Sequence, residues 1–152
     1  MIRVVVDHAP IDAGAEAAML ERGSDGAGAV ATFTGLVRAD DGVDVLELEH
    51  YPGVTEHALR TLANEASERW HLLAATVVHR VGPMRPGNAI VFVGAAAAHR
   101  AAALEACAFL IDRLKTDAPF WKRETRGGRS SWVEARDSDD TAAARWKAQP
   151  SA

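Results

Sequence analysis

Leu114 to Glu124, reading LKTDAPFWKRE, is the stretch on which the interpretation of this chain turns. Pro119 lacks an amide hydrogen, fixes its own φ and pushes Ala118 out of helical geometry, so a helix carrying Lys115 has to end just before it. Lys122 then leaves in a new direction, beyond a rigid apolar turn. Phe120 and Trp121 are large enough to pin the segment into the body of the protein, which would hold the two ammonium groups at a defined separation. From Arg113 to Arg129, six basic residues (Arg113, Lys115, Lys122, Arg123, Arg126, Arg129) stand against Asp117 and Glu124, a local charge of +4 in a chain of net charge −4. The remainder therefore carries −8. A positive cluster within an acidic protein suits a small anionic ligand better than the broad basic face of a nucleic-acid binder. The plain alternative is a solvated basic run at a helix C-terminus, where lysines complement the macrodipole.

The composition around this stretch is that of an ordinary globular chain. At 152 residues, with 48% hydrophobic and 25% charged residues, it fits one domain spanning 1–152, with 138–152 expected as an exposed C-terminal tail. A lone cysteine, Cys107, excludes an intrachain disulfide and reads as a small buried apolar residue. That usage suits a reducing compartment. The N-terminal MIRVVVDHAP offers neither a basic leader with an apolar core nor a membrane span, so a cytoplasmic protein without membrane association is expected. The histidines (His8, His50, His57, His71, His79, His99) lack the close spacing of a zinc site, and no metal is expected.

Working outward, Ile2–Val6 is a β-branched strand and Asp12–Arg22 an Ala-rich helix closed by Gly23. Ala29–Val37 reads as an apolar strand delivering Arg38 into the loop 39–42, and Val43–Tyr51 as a strand with one wet face. Ala58, Leu62, Ala66 and Trp70 recur at spacing four and predict a packing helix over Val54–Trp70. Thr76–Val81 and Ala89–Ala95 predict two strands joined by GPMRPGN as a hairpin link, with His79 as a structural histidine near the end of the first. His99 and Arg100 open a helix whose apolar stripe is Leu104, Ala108, Ile111 and Leu114, with Lys115 at its edge. Thr125–Arg129 is a glycine-containing turn, Ser130–Ala135 a last short strand leading to Arg136, and Thr141–Lys147 an exposed helical tail. The order is that of an α+β fold with a mostly antiparallel sheet and packed helices.

Helix length constrains how the charged groups combine. At 1.5 Å per residue, His99 and Lys115 lie roughly 24 Å apart along one helix, whereas a pocket for one small molecule is on the order of 10 Å across. One chain therefore cannot easily place His99–Arg100 and Lys115–Lys122 in a single small site. Two separate anion sites would satisfy this, and so would one pocket shared between two protomers. The shared pocket is preferred because closed twofold dimers are the commonest oligomers.

The segments AVATFTGLVR, LELEHYPGVTE, VVHRVG, PGNAIVFVGAAAAHR, LKTDAPFWKRE and WVEAR occur here in the order seen in the large, catalytic subunit of molybdopterin synthase, and the chain resembles that family along nearly its whole length. LKTDAPFWKRE is the most specific of them. Val54 stands where the family would have Met, the loop 39–42 is short, and AAAAHR lacks a small polar residue before its HR pair, but no charged group is lost. The resemblance implies an α/β hammerhead-type fold and a homodimer at the centre of a heterotetramer. It implies a small ubiquitin-like partner at each end, whose C-terminal Gly-Gly thiocarboxylate is the sulfur donor. The implied substrate is cyclic pyranopterin monophosphate, a pterin phosphate that receives two sulfurs to become the dithiolene of molybdopterin. By position, Lys115 and Lys122 match the family's catalytic lysines, and Arg38, His99, Arg100 and Arg136 its anion-binding residues. No cofactor is implied for the step.

The residue types agree with that chemistry. Attack by a thiocarboxylate and later hydrolysis of the acyl link need phosphate fixation, proton donation and stabilisation of developing oxyanions. Arginine forks suit phosphate, whereas lysines can exchange protons, and two lysines facing one pocket are expected to depress each other's pKa. The alternative from another class is a non-catalytic adaptor that binds a ubiquitin-like tail through Phe120 and Trp121.

Overall fold

The computed structural model describes residues 1–39, 42–133, 137–144 and 146, leaving aside the side chains of 137–140. Its elements are β1 (Ile2–Asp7), α1 (Ala13–Arg22), β2 (Ala29–Leu36), β3 (Val45–His50), α2 (Val54–Trp70), β4 (Ala74–Arg80), β5 (Gly82–Met84), β6 (Ala89–Ala97), α3 (Arg100–Asp117), β7 (Phe120–Arg126), β8 (Arg129–Val133) and α4 (Asp137–Ala144). The strands form two four-stranded sheets, ordered β1-β4-β6-β2 and β5-β3-β7-β8. Among the described residues only β1 and β4 pair in parallel; the other neighbours are antiparallel. The fold class is thus the expected α+β, but the strands divide into two sheets where a single one was read.

Local chemistry explains the helix ends. The Asp12 side chain accepts from the Ala15 amide at the start of α1, and the Gly23 amide donates to Met19 and Glu21 carbonyls at its end. In α2 the Glu56 carboxylate accepts from the Gly53 amide at 2.6 Å. Ala118, extended at φ −79° and ψ 130°, ends α3 one residue before Pro119, where the proline requires it.

Strands β4 and β6 are buried along almost their whole length and form the centre of the first sheet. In β4, Ala75, Val77 and His79 share one face, opposite Ala95, Val93 and Val91 of β6. That face joins a core with Leu59, Leu62 and Ala66 of α2 and Ala106, Phe109, Leu110 and Leu114 of α3. The chain passes from the first sheet to the second through Arg80–Gly82. Gly82 has φ +83°, and a Cβ there would lie 2.7 Å from the His8 ring, so only glycine suits this turn. The short β5 that follows lies inside GPMRPGN, which the sequence suggested was all connection; its Pro83 sits on an edge strand, where the missing donor costs no ladder bond.

Two further expectations are corrected. The buried stripe of α3 is Ala103, Ala106, Cys107, Phe109, Leu110 and Leu114, whereas Leu104 is 61% exposed. Alanines meet the sheet because they allow close approach, so side-chain size gave the wrong phase for the helix. The expected exposed tail 138–152 is exposed only in part where its burial is described: Thr141 and Ala144 face solvent, but Ala143 and Trp146 are buried, the latter at 6%. Trp146 packs edge-on against Trp70 and Phe109, and its indole Nε1 donates to Asp112 Oδ2 at 2.8 Å. The Arg69 guanidinium lies 5.7 Å from the Trp146 ring centroid and donates to the Trp146 carbonyl. Trp146→Ala should therefore destabilise the protein by about 3–5 kcal/mol, the usual cost of removing a large buried aromatic, read as a lower urea midpoint.

Candidate active site

Lys115 and Lys122 stand on either side of the Pro119 turn, the first at the C-terminal end of α3 and the second in β7 of the second sheet. Lys115 is exposed in the last turn of α3, next to buried Leu114. Lys122 lies within β7, half-buried, with Leu48 opposite on β3 and Val133 opposite on β8. Strand alternation separates the two aromatics that precede it. Phe120 turns inward with Lys122, while Trp121 is 42% exposed and packs edge-on against Tyr51 with centroids 4.5 Å apart. Only Phe120 is therefore the internal anchor expected of the pair.

Phe120 is flanked by two histidines. The His79 ring stacks on it with centroids 4.1 Å apart and planes 27° apart, and His50, its partner across the β3–β7 ladder, tilts against it at 6.4 Å. His79 is 4% exposed and its Nδ1 lies 2.9 Å from the Arg80 carbonyl oxygen. A carbonyl only accepts, so Nδ1 carries the proton and Nε2 keeps the lone pair. Burial pushes the His79 pKa down from 6.5 to about 3, with the charges of Lys115, Lys122 and His50 lowering it further and the bond to Arg80 opposing them. His50 Nδ1 is buried without a hydrogen-bond partner, 3.7 Å from Glu56 Oε1.

Suppressed protonation of His79 ties stability to pH. The unfolded chain takes up a proton at a pKa near 6.5, whereas the folded ring resists it down to about 3. This stability is complete above pH ~6.5 and is lost as pH falls towards 3, at up to about 1.4 kcal/mol per pH unit. Urea midpoints should fall from about pH 7 to about pH 5, and His79→Phe should flatten that decline.

The basic cluster is less uniform than its charge count. Arg113 donates to Asp117 at 2.7 Å and to Glu65 at 3.3 Å, Arg123 pairs with Glu47, and Arg126 pairs with Glu124. Arg113, Arg123 and Arg126 are thus matched by acids, and two of those acids, Glu47 and Glu65, come from outside the segment. Arg38 follows β2 and is exposed. Because Leu36 pairs with Ala89 and Val91 with His79, it lies at the same end of the first sheet as His79. His99 and Arg100 are exposed at the start of α3, at the opposite end of that sheet. The helix between them and Lys115 is continuous, so the separation of roughly 24 Å stands. Arg136 lies outside the described residues.

The sequence gives His50 no role and favours a structural one for His79, whereas both rings flank Phe120. The available signal was phase: His50 continues the Leu46–Leu48 alternation, and His79 that of Ala75–Val77. Among the described residues, no group of three or more His, Cys, Asp or Glu could hold a metal ion, and no helix is long and apolar enough to cross a membrane.

Two lysines that flank the Pro119 turn and a buried neutral imidazole beside Phe120, on an α+β scaffold of two sheets, are residue types suited to acid–base chemistry on an anion. Residues 6–117 match the family model described as MoaE protein. The chain is 52% identical over 148 residues to the molybdopterin synthase catalytic subunit of Escherichia coli K12, covering 95% of this chain and 97% of that one. A solved molybdopterin biosynthesis MoaE protein from Burkholderia ambifaria superposes with a TM-score of 0.85 at 45% identity, covering 98% of this chain and all of that one. A Helicobacter pylori chain solved in the complex of subunits 1 and 2 of molybdopterin-converting factor shares the fold at 20% identity, with a TM-score of 0.73 over 89% of this chain and 91% of that one. The chain belongs to the MoaE family, that of the catalytic subunits of molybdopterin synthase, and is an enzyme subunit of molybdenum cofactor biosynthesis.

Proposed function

We propose that this chain transfers sulfur from the C-terminal Gly-Gly thiocarboxylate of a small ubiquitin-like partner to cyclic pyranopterin monophosphate, forming the dithiolene of molybdopterin. The observation that carries this reading is the placement of Lys115 in the last turn of α3 and of Lys122 on the inward face of β7, on either side of the Pro119 turn. In this proposal both lysines balance the charge that develops as the thiocarboxylate attacks the pterin side chain, and one of them donates a proton to the leaving oxygen. When water later opens the acyl link to the partner, the same ammonium groups face the tetrahedral oxyanion. Arg38, His99, Arg100 and Arg136 fix the phosphate, the His99–Arg100 pair being supplied by a second protomer. The working unit is then a homodimer carrying one small subunit at each end. The exposed Trp121–Tyr51 pair and the exposed Phe33 of β2 offer apolar surface near which a narrow Gly-Gly tail can run.

The test is reconstitution. Purified chain, thiocarboxylated partner and pterin precursor should yield a dithiolene product, with the partner's terminus returned as a carboxylate. An adaptor that binds the tail without chemistry would retain the partner and give no product.

A further inference from the structure

The apolar middle of one face of α3 has no part in the site described so far. Arg100, Leu104, Ala108, Ile111 and Lys115 follow one another at helical spacing and so make a single stripe along the helix. Arg100, Leu104 and Lys115 are exposed, and Ala108 and Ile111 are only partly buried. The neighbours of α3 fix where the stripe looks. Ala106, Leu110 and Leu114 turn inward to the core, while Phe109 packs on Trp70 of α2 and Asp112 accepts from Trp146. Because α2 lies over β1 and β4, and α3 over β6 and β2, the stripe faces away from α2, past the edge strand β2. We propose that a second copy of this chain docks on the stripe, α3 against α3 in antiparallel order about a twofold axis at Ala108, which sets Arg100 of one protomer beside Lys115 of its partner; the proposal deepens the shared-pocket reading above and rests on it.

The order of residues along the stripe carries this arrangement. The point halfway between Arg100 and Lys115 falls between Cys107 and Ala108. A twofold axis there turns the start of α3 in one protomer onto the end of α3 in the other, and so closes the gap of roughly 24 Å that no single chain can close. The same rotation sets Leu104 of one protomer against Ile111 of its partner, and Ala108 against Ala108. An alanine at the crossing lets two helix axes approach to about 8 Å, the close end of the usual range. A twofold contact uses each pairing twice, so the Leu104–Ile111 contact is buried once on either side of the axis. Apolar residues thus occupy the middle of the seam and the cations its two ends. Each end then gathers Arg100 of one chain and Lys115 of the other, a placement suited to an anion held between protomers. Leu104, 61% exposed in the single chain, gains cover by the same contact.

Cross-linking of the full-length chain reads the axis directly. In a Cys107→Ala background, which removes the native thiol, Ala108→Cys should give a disulfide-linked dimer on mild oxidation, because Cα atoms facing each other across so close a crossing fall within about 7 Å. Glu68→Cys, on the exposed side of α2, should give none. Leu104→Cys chains mixed with Ile111→Cys chains should link to each other, and neither to itself, since like positions lie on opposite sides of the axis. Sedimentation should show the dimer dissociation constant raised about tenfold or more by Leu104→Glu, which places a charge in the apolar middle. If the glutamate variant folds poorly, Leu104→Gln takes its place, and the cross-links test the same contact without it. A chain that stays monomeric, or a dimer in which Ala108→Cys fails to link, overturns the proposal. Loss of the Ala108→Cys link on adding the small partner would give the face to that partner and overturns it too. A linked, Leu104-dependent dimer that makes no dithiolene in the reconstituted reaction would uphold the interface and reject the sulfur-transfer reading instead.

Discussion

Replacing Lys115 or Lys122 with alanine is expected to lower kcat for sulfur transfer by ~10²-fold or more without unfolding the protein. Lys115 is exposed in the last turn of α3, so its truncation opens no cavity, and the helix-dipole interaction it gives up is worth about 0.3–1 kcal/mol. Lys122 is placed in β7 by backbone pairing with Leu48 and Val133, which does not depend on its ammonium group. Both variants should therefore unfold close to wild type, and the whole effect should appear in the chemical step. A group that meets charge only in the transition state lowers kcat and kcat/KM together; one that merely binds phosphate raises KM. Single-turnover kinetics with thiocarboxylated partner separate these cases. Turnover at the wild-type rate by Lys115→Ala would end its catalytic assignment, and a pure KM effect would move it among the anion-binding residues.

What could be read beforehand was whatever chemistry dictates over a short range. Pro119 ends α3, Asp12 and Gly23 bound α1, and Val54–Trp70 forms one helix because its apolar residues keep a helical period. The two-residue turn Gly127–Gly128, with φ of +54° and +82°, was legible from its glycines. What escaped depends on partners distant in sequence. Nothing within GPMRPGN announces that Leu46 and Leu48 will pair with Met84 and Gly82 and draw those residues into a second sheet. The phase of α3 was missed because a helix of many alanines has no pattern of size to reveal its buried face. Trp146 looked like part of a polar tail because Trp70, Phe109 and Asp112, which receive it, lie 34 to 76 positions earlier. Lys115 and Lys122 could be considered together from the sequence because only six residues, one of them Pro119, lie between them. His79 joins them only through the packing of the first sheet on β7. The +4 charge of the segment was also incomplete as a field, since Glu47 and Glu65 reach it from other elements.

Mixing Arg100→Ala chains with Lys115→Ala chains, each inactive alone, is expected to restore activity to about a quarter of wild type if the pocket is shared in a twofold dimer. Arg100 begins α3 and Lys115 lies in its last turn, and the helix runs unbroken between them, so no single chain can close the gap of roughly 24 Å. In a shared arrangement the start of α3 from one protomer meets the lysines of the other. A mixed dimer then holds one pocket with both lesions and one with neither. Random exchange makes about half the dimers mixed, and each of these contributes one working pocket of two. The measurement needs proof of exchange, for instance by mass-labelled subunits, followed by the dithiolene assay on the same sample. If each pocket were built within one chain, every pocket in the mixture would still carry a lesion and no activity would return. Exchange without recovery would therefore separate His99 and Arg100 from the lysine site and make them a second, independent anion-binding position at the opposite end of the first sheet.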